Sequence, residues 1–244
     1  FGYKLPERVK LEALTIPLGP IRETLRPDVE VDIAAAMDFY NEHKDQMVER
    51  DEIGNPTDVQ LSFDEARPRI IDRLLDERAA DKAMQLAQEM RAKLAAPLAD
   101  MSKSGGYFQF PENYEPVSMR VVADEIAQQS GVAVLPADGA LATQWTGVRE
   151  LVQIPNLGMS VIAGTPQVTF VNYIRSAREL EPEPQNPLIA RRLQVGVPSE
   201  IMQGPNGSLS VFRLVAAEPE QAPTLDEVRD QVVEDAKKLS AYEM

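Results

Sequence analysis

The side chains in this sequence that could do acid–base or nucleophilic chemistry lack the partners such chemistry needs. His43 is the sole histidine and stands among charged residues, a pattern typical of a polar helix surface. Acid pairs such as Asp64-Glu65 fall at predicted helix starts, where carboxylates stabilise the positive end of the helix dipole. Ser160 and Ser208 have no nucleophile-elbow context. The sequence therefore offers no catalytic residue, no metal site and no cofactor site.

Composition and charge narrow the classes of partner. The net charge of −14 argues against a nucleic-acid partner, because phosphate binding uses concentrated Lys and Arg. The chain contains no cysteine, which excludes disulfides and thiolate metal sites. No apolar run approaches the ~18 residues of a membrane span, so we expect no membrane insertion by this chain. We expect any targeting or anchor segment to lie upstream of Phe1, and the oligomeric state is left open.

The most promising functional feature is an aromatic and methionine cluster that follows Gly105-Gly106. Such side chains suit promiscuous peptide binding because they offer large, adaptable contact area. The candidate peptide-binding residues are Tyr107, Phe108, Phe110, Tyr114 and Met119. The alternative interpretation is that these rings fill the seam between two lobes of the protein.

The clearest local element begins at Ser62. Ser62 and Glu65 have the spacing of a capping box, and an apolar stripe follows until Pro97. The polar stretch 76–82 interrupts this stripe, so the pattern predicts either one long helix or two helices with a bend. A related phrase, Thr224 to Glu234, repeats the order hydroxyl, apolar residue, Asp-Glu, apolar residue and Arg, and it predicts a final helix.

The remaining pattern predicts further helices and short strands. Alternation over Val9 to Leu14 indicates a strand, and a Pro-punctuated turn separates it from the next helix. For that helix, over 30–47, we expect an apolar stripe containing Ile33, Met37 and Tyr40. The other predicted helices cover 118–130, 143–152 and 167–180, and Gly131 closes the first of them. The other predicted strands cover 132–135 and 209–215. Residues 181–187 are predicted to form an extended linker.

Three segments carry a resemblance to a known family. "ERVKLEALTIPL", "AAAMDFYNEHKDQM" and "SFDEARPRIIDRLLDERAADKAMQLAQEM" resemble, in this order, the chaperone-forming segments of SurA/PpiD-type periplasmic proteins. The end of the chain, from Val195 onward, resembles the closing strand and exit helix of a parvulin-like peptidyl-prolyl isomerase module. The resemblance covers about half of the residues and implies a chaperone scaffold in the bacterial envelope.

The departures from that family concern catalysis. Only 18 residues separate His43 from Ser62, too few for the parvulin domain that the family usually inserts there. The resemblance also implies histidines on the first and last strands of an active domain. The last-strand candidate, Leu209 to Val215, contains none. The resemblance therefore implies the scaffold and a missing or degenerate catalytic domain.

Together these observations predict an α+β fold. We expect a helical chaperone-like lobe from residues 1–98 with 218–244, and a smaller, degenerate parvulin-like α+β lobe from 99–217. The strand at Val9 to Leu14 could join either lobe. The expected function is binding of unfolded or extended polypeptide without catalysis, in the periplasm or at the outer face of the inner membrane. A divergent prolyl isomerase and a structural assembly subunit are the alternatives.

Overall fold

The protein has a mixed α+β fold built on a large antiparallel sheet. The computed structural model describes residues 4–50, 53–181, 189, 193–222, 229 and 232–238. Its helices are α1 (Leu18–Val31), α2 (Ile33–Glu42), α3 (Phe63–Ala95), α4 (Met119–Ser130), α5 (Ala140–Thr143) and α6 (Phe170–Arg175), and residues 232–238 are helical as well. Short 3₁₀ turns cover Lys44–Gln46, Ala96–Leu98 and Glu150–Gln153.

The strands form one large sheet and two small hairpins. They are β1 (Arg8–Ile16), β2 (Val48–Arg50), β3 (Pro56–Gln60), β4 (Lys103–Ser104), β5 (Tyr107–Phe108), β6 (Leu135–Pro136), β7 (Thr146–Gly147), β8 (Val161–Ile162), β9 (Thr165–Thr169), β10 (Met202–Gln203) and β11 (Leu209–Glu218). The sheet order is β6-β1-β11-β10-β8-β9, with β7 also paired to β1. The hairpins are β2–β3 and β4–β5.

Strand β1 pairs with β11 along its whole length, from Arg8 opposite Glu218 to Ile16 opposite Leu209. The strand predicted at Val9 to Leu14 therefore lies in the large sheet. Successive side chains of a strand point to opposite faces, and both faces of β1 are covered. Leu14 and Ile16 pack with α3 and α4, whereas Val9, Leu11 and Ala13 pack in the cluster of Phe170 and Tyr173.

Helix α3 is one continuous helix of 33 residues, which resolves the choice between one helix and two. The Glu65 carboxylate accepts hydrogen bonds from the Ser62 backbone N–H at 2.9 Å and from the Ser62 hydroxyl at 2.5 Å, so the predicted Ser62–Glu65 cap forms. Ala79 lies within the polar stretch and is fully buried, so it carries the stripe across the gap. The helix thereby joins a cluster with α1 and α2 to a second cluster against the sheet.

Several predicted elements are wrong. The segment expected as a turn before residue 30 is mostly α1; Pro20 fits its first turn because the N–H groups there have no intrahelical partner. The 143–152 segment is β7 and a 3₁₀ turn, and 167–180 is the end of β9 followed by short α6. Strand pairing overrides the helical pattern at residues 146–147 and at residues 167–169, whereas the helix predicted over 167–180 does form as α6 in its middle part. Of the strand predicted over 132–135, only Leu135 is in a strand, at the start of β6.

The helix over 30–47 also differs from its prediction. It is broken at Asp32, which caps α2 by accepting the Ala35 N–H at 3.1 Å. Its buried face carries Ala36, Phe39 and Tyr40, while Ile33 and Met37 are exposed. The α4 prediction is confirmed, including Gly131 in the left-handed C-cap conformation. The start of the predicted final helix, at Thr224, and nearly all of the predicted linker lie outside the described residues.

Substitution of Phe212, on β11, tests how much side-chain packing against the sheet contributes to stability. Its ring is fully buried and meets Phe170 and Tyr173 edge-to-face, at centroid distances of 5.1 and 5.9 Å. We expect Phe212→Ala to lower the free energy of unfolding by about 3–5 kcal/mol, because a large cavity opens where little can collapse. Denaturant unfolding followed by circular dichroism measures this. The matched control is Phe110→Ala, a half-exposed ring, which should lose less than half as much; equal losses would contradict the packing.

A second prediction concerns acid stability at the α1–α2 joint. Asp32 accepts a hydrogen bond from Arg78 Nη2 at 2.8 Å and another from the Ala35 N–H, and these bonds hold the pKa of its carboxyl below the usual value for an aspartate. A lowered carboxyl pKa adds stability above the unfolded-state value that is lost as pH falls through the folded-state value.

We therefore expect Asp32→Asn to destabilise the protein at neutral pH, with the difference from wild type shrinking towards zero in acid. Urea unfolding at a series of pH values measures it. Asp38→Asn, on the exposed side of α2, removes the same charge as a control. A difference that stays constant with pH would show that the Asp32 charge is not the cause.

Candidate functional site

The predicted aromatic residues divide into a buried pair and an exposed set. Tyr107 is buried with its ring beside the Arg178 guanidinium, at 5.0 Å, and Met119 is buried in the core at the start of α4. Phe108, Phe110 and Tyr114 are half-exposed. We call these three rings the aromatic ladder. They follow one another with centroid distances of 6.4 Å and 4.5 Å, and the Phe110 and Tyr114 planes are nearly parallel, at 3°.

The ladder is held by the segment 193–200, which runs beside β11. Gln194 is buried, and its side-chain amide accepts the Phe108 N–H and donates to the Phe108 carbonyl, both at 2.9 Å. This pair of bonds attaches the β4–β5 hairpin to the segment much as another strand would. Gly196 has φ +83°, and a β-carbon there would meet the Phe110 ring at 3.4 Å. A glycine at this position therefore suits both the backbone turn and the close approach of the ring.

Two clefts flank the ladder. The hairpin cleft has a volume of about 480 Å³, and among its lining residues are Arg91, Leu98, Met101, Lys103, Phe108 and Glu200. The aromatic cleft has a volume of about 360 Å³, and among its lining residues are Glu12, Phe110, Pro111, Tyr114, Pro116 and Arg213. Both volumes fall within the ~300–1,000 Å³ common for binding pockets.

Two arginines in these clefts are each paired with a carboxylate of the same chain. Arg91, on α3, donates to the Ser199 carbonyl at 2.8 Å and to the Glu200 carboxylate at 3.0 Å. Arg213, nearly fully buried, donates to the Glu12 carboxylate at 2.6 Å across the β1–β11 pair and to the Val117 carbonyl at 2.9 Å. The second bond ties the chain just after Tyr114 to the sheet. The aromatic cleft therefore offers a ligand mainly ring faces and apolar edges, whereas the hairpin cleft also carries the Lys103 ammonium.

Tyr114 itself behaves as an apolar surface. Burial raises the pKa of its phenol, and the nearby Arg213 cation offsets part of that rise. An unperturbed tyrosine already titrates near 10, so the ring stays neutral at physiological pH. Lys103 adds a cation over the other end of the ladder, with Nζ 4.3 Å from the Phe108 ring centroid.

His43 lies away from these clefts. It caps the C-terminus of α2, stacks on Phe39 at 4.2 Å and places Nδ1 3.0 Å from the Phe39 carbonyl oxygen. It is half-buried rather than a fully exposed surface residue. Among the residues that the structure describes, no three His, Cys, Asp or Glu side chains converge on a metal site. No described helix combines the length and the apolar character that a membrane crossing requires.

Sequence reasoning missed the residues that support the ladder: Arg91, Gln194, Gly196, Glu200 and Arg213. One of them had a usable signal. Arg213 stands between Phe212 and Leu214 in an apolar strand, and a charge in that position needs a buried partner. The other residues become neighbours of the ladder only through the fold.

Comparison with known proteins identifies no relative of this chain. No family model matches the chain, and no curated protein or solved structure is significantly similar to it. The geometry of the ladder and its clefts is therefore the basis for a functional assignment.

The Gln194 clamp generates a prediction about hairpin dynamics. Gln194→Leu replaces the polar amide with an apolar side chain of similar size and removes both bonds to Phe108, so the hairpin should open more often. We expect hydrogen exchange at the Phe108 amide to accelerate roughly tenfold to thirtyfold, as about 1 kcal/mol per lost bond implies. Exchange followed by NMR measures it. Gln109→Leu, an exposed neighbour, is the control; an unchanged Phe108 amide in Gln194→Leu would show that the clamp contributes nothing.

Proposed function

We propose that this chain is a chaperone-like module that binds extended or partly folded polypeptide without chemical turnover. The observation that carries the proposal is the aromatic ladder, a row of three half-exposed rings between two clefts of side-chain size. Aromatic surfaces give large contact area at low entropic cost and accept many different side chains. Because Arg91 and Arg213 are paired with carboxylates of the same chain, recognition at the ladder rests mainly on apolar contact.

The rings are also pre-arranged for an extended ligand. Phe108 and Phe110 are two residues apart and their centroids are 6.4 Å apart, close to the ~6.6 Å between same-side residues of an extended chain. An extended segment lying along the ladder can therefore place two alternate side chains against Phe108 and Phe110, with Tyr114 stacked behind Phe110. The Gln194 clamp and the Arg213 bond to Val117 hold both ends of the ladder, so a ligand meets an ordered surface.

The proposal extends to architecture and location. We place this chain with the SurA/PpiD-type chaperones, in the periplasm or at the outer face of the inner membrane, on the strength of the sequence resemblance. In this view residues 1–98 with 218–244 form the chaperone-like lobe and 99–217 a degenerate parvulin-like lobe, with β1 crossing into the sheet of the second. Support for the second lobe is that β11, the strand likened to a parvulin closing strand, is central in that sheet.

The test is suppression of aggregation of a chemically denatured client protein, followed by light scattering. Wild type should suppress aggregation near stoichiometric ratio. We expect Phe110→Ala/Tyr114→Ala to need at least about fivefold more protein, since interface aromatics commonly contribute more than 1 kcal/mol each. The control, Val31→Ala/Ile33→Ala, removes exposed apolar side chains at the α1–α2 joint.

Four outcomes would contradict the proposal. No suppression by wild type would remove the chaperone function. A loss of suppression in the α1–α2 control, with none in the ladder variant, would place binding elsewhere. Catalysis of X–Pro peptide isomerisation above background, abolished in the ladder variant, would assign the site to a divergent isomerase instead. Concentration-dependent self-association that buries the ladder would favour an assembly subunit.

A further inference from the structure

A third cleft lies at the opposite face of β1 from the aromatic cleft. Glu12 lines the aromatic cleft and Ala13 lines the third cleft, and consecutive strand residues point to opposite faces. This cleft has a volume of about 520 Å³ and is bordered by the ends of β6 and β7 and by the turn at 150–157. Its apolar lining includes Ala13, Leu135, Leu141, Ile154 and Leu157. We call it the acidic cleft, for the reason that follows.

Two carboxylates, Asp138 and Glu150, line this cleft. Asp138 follows β6, and Glu150 opens the 3₁₀ turn after β7; both are exposed. Each is anchored by a backbone bond: Asp138 Oδ1 accepts the Ala140 N–H at 2.9 Å, and Glu150 Oε2 accepts the Gly147 N–H at 3.3 Å. Their orientation towards the rim is thus partly fixed by the chain itself.

These carboxylates differ from those of the other two clefts. Glu12 is paired with Arg213 and Glu200 with Arg91, but in the described part of the chain no Lys, Arg or His pairs with Asp138 or Glu150. The lining of the acidic cleft contains no basic residue either. An apolar pocket with two uncompensated carboxylates at its rim is complementary to a ligand that carries an apolar group between two cations.

We propose that the acidic cleft binds extended peptide segments of the pattern basic–x–apolar–x–basic. In an extended chain, residues two apart share a side and lie ~6.6 Å apart. The apolar side chain enters the pocket, and the two basic side chains reach the carboxylates of Asp138 and Glu150. The proposal concerns a second binding site and stands on contacts independent of the aromatic ladder.

The probe is a fluorescein-labelled peptide, Gly-Lys-Ser-Leu-Ser-Lys-Gly, titrated with the whole chain at low ionic strength and followed by anisotropy. Two matched peptides test each part of the pattern: one with both Lys replaced by Glu, and one with Leu replaced by Ser. We expect each replacement to weaken binding at least about fivefold. Added salt should weaken binding of the Lys peptide, because partly exposed ion pairs are screened.

The protein variants keep the fold and change the rim charge. Asp138→Asn/Glu150→Gln retains both backbone bonds and removes two charges; we expect binding about tenfold weaker, as two rim ion pairs imply. Gln153→Lys adds a cation to the exposed rim and should weaken binding similarly. The control Asp38→Asn/Glu42→Gln removes two exposed charges from α2 and should bind within about twofold of wild type.

The outcomes separate this proposal from that for the ladder. Phe110→Ala/Tyr114→Ala should bind the Lys peptide normally even where it loses chaperone activity. Equal weakening by the rim and α2 variants would show general attraction to an acidic protein, and would overturn the proposal. Equal binding of the Glu peptide or of the Ser-for-Leu peptide, or no binding of the Lys peptide to wild type, would overturn it as well.

Discussion

The antiparallel pairing of β1 with β11 is the interaction on which the rest of the structure depends. It joins strands from the two ends of the chain, and its central side-chain contact, Glu12 with Arg213, links residues 201 positions apart. Around this pair the helices α3 and α4 cover one face and α6 covers the other. Because Arg213 is buried, the Glu12 carboxylate and the Val117 carbonyl are its compensation, and loss of either leaves a charge poorly satisfied.

Helix α3 extends this constraint through the molecule. Its first half packs with α1 and α2, its second half packs with the sheet, and Arg91 near its end bonds to Ser199 and Glu200. The segment 193–200, which supports the ladder, is therefore held between α3 and β11. The ladder, which lies on short strands and turns, derives its order from these neighbours rather than from its own hydrogen bonding.

The clefts beside the ladder and the acidic cleft differ in whether their carboxylates are paired with cations of the same chain. Around the ladder, Arg91 and Arg213 neutralise the local carboxylates, which leaves ring faces as the dominant feature. At the acidic cleft, backbone N–H groups hold the carboxylates of Asp138 and Glu150. No basic side chain among the described residues pairs with either carboxylate, so we propose that their negative charge meets a ligand. The same sheet thus presents an apolar surface on one face and an apolar pocket with an acidic rim on the other.

The sequence by itself determined the elements whose signals are local: the cap and stripe of α3, the α4 helix with Gly131, and the apolar strand that became β11. It also marked the exposed rings of the ladder. It did not determine the partner of β1, the strands that replaced one predicted helix and shortened another, or the residues that support the ladder. Tertiary structure decided these, because strand pairing and cleft formation join residues that are far apart in the chain. Gln194 and Arg213 acquire their roles only when the fold brings them to Phe108 and Glu12.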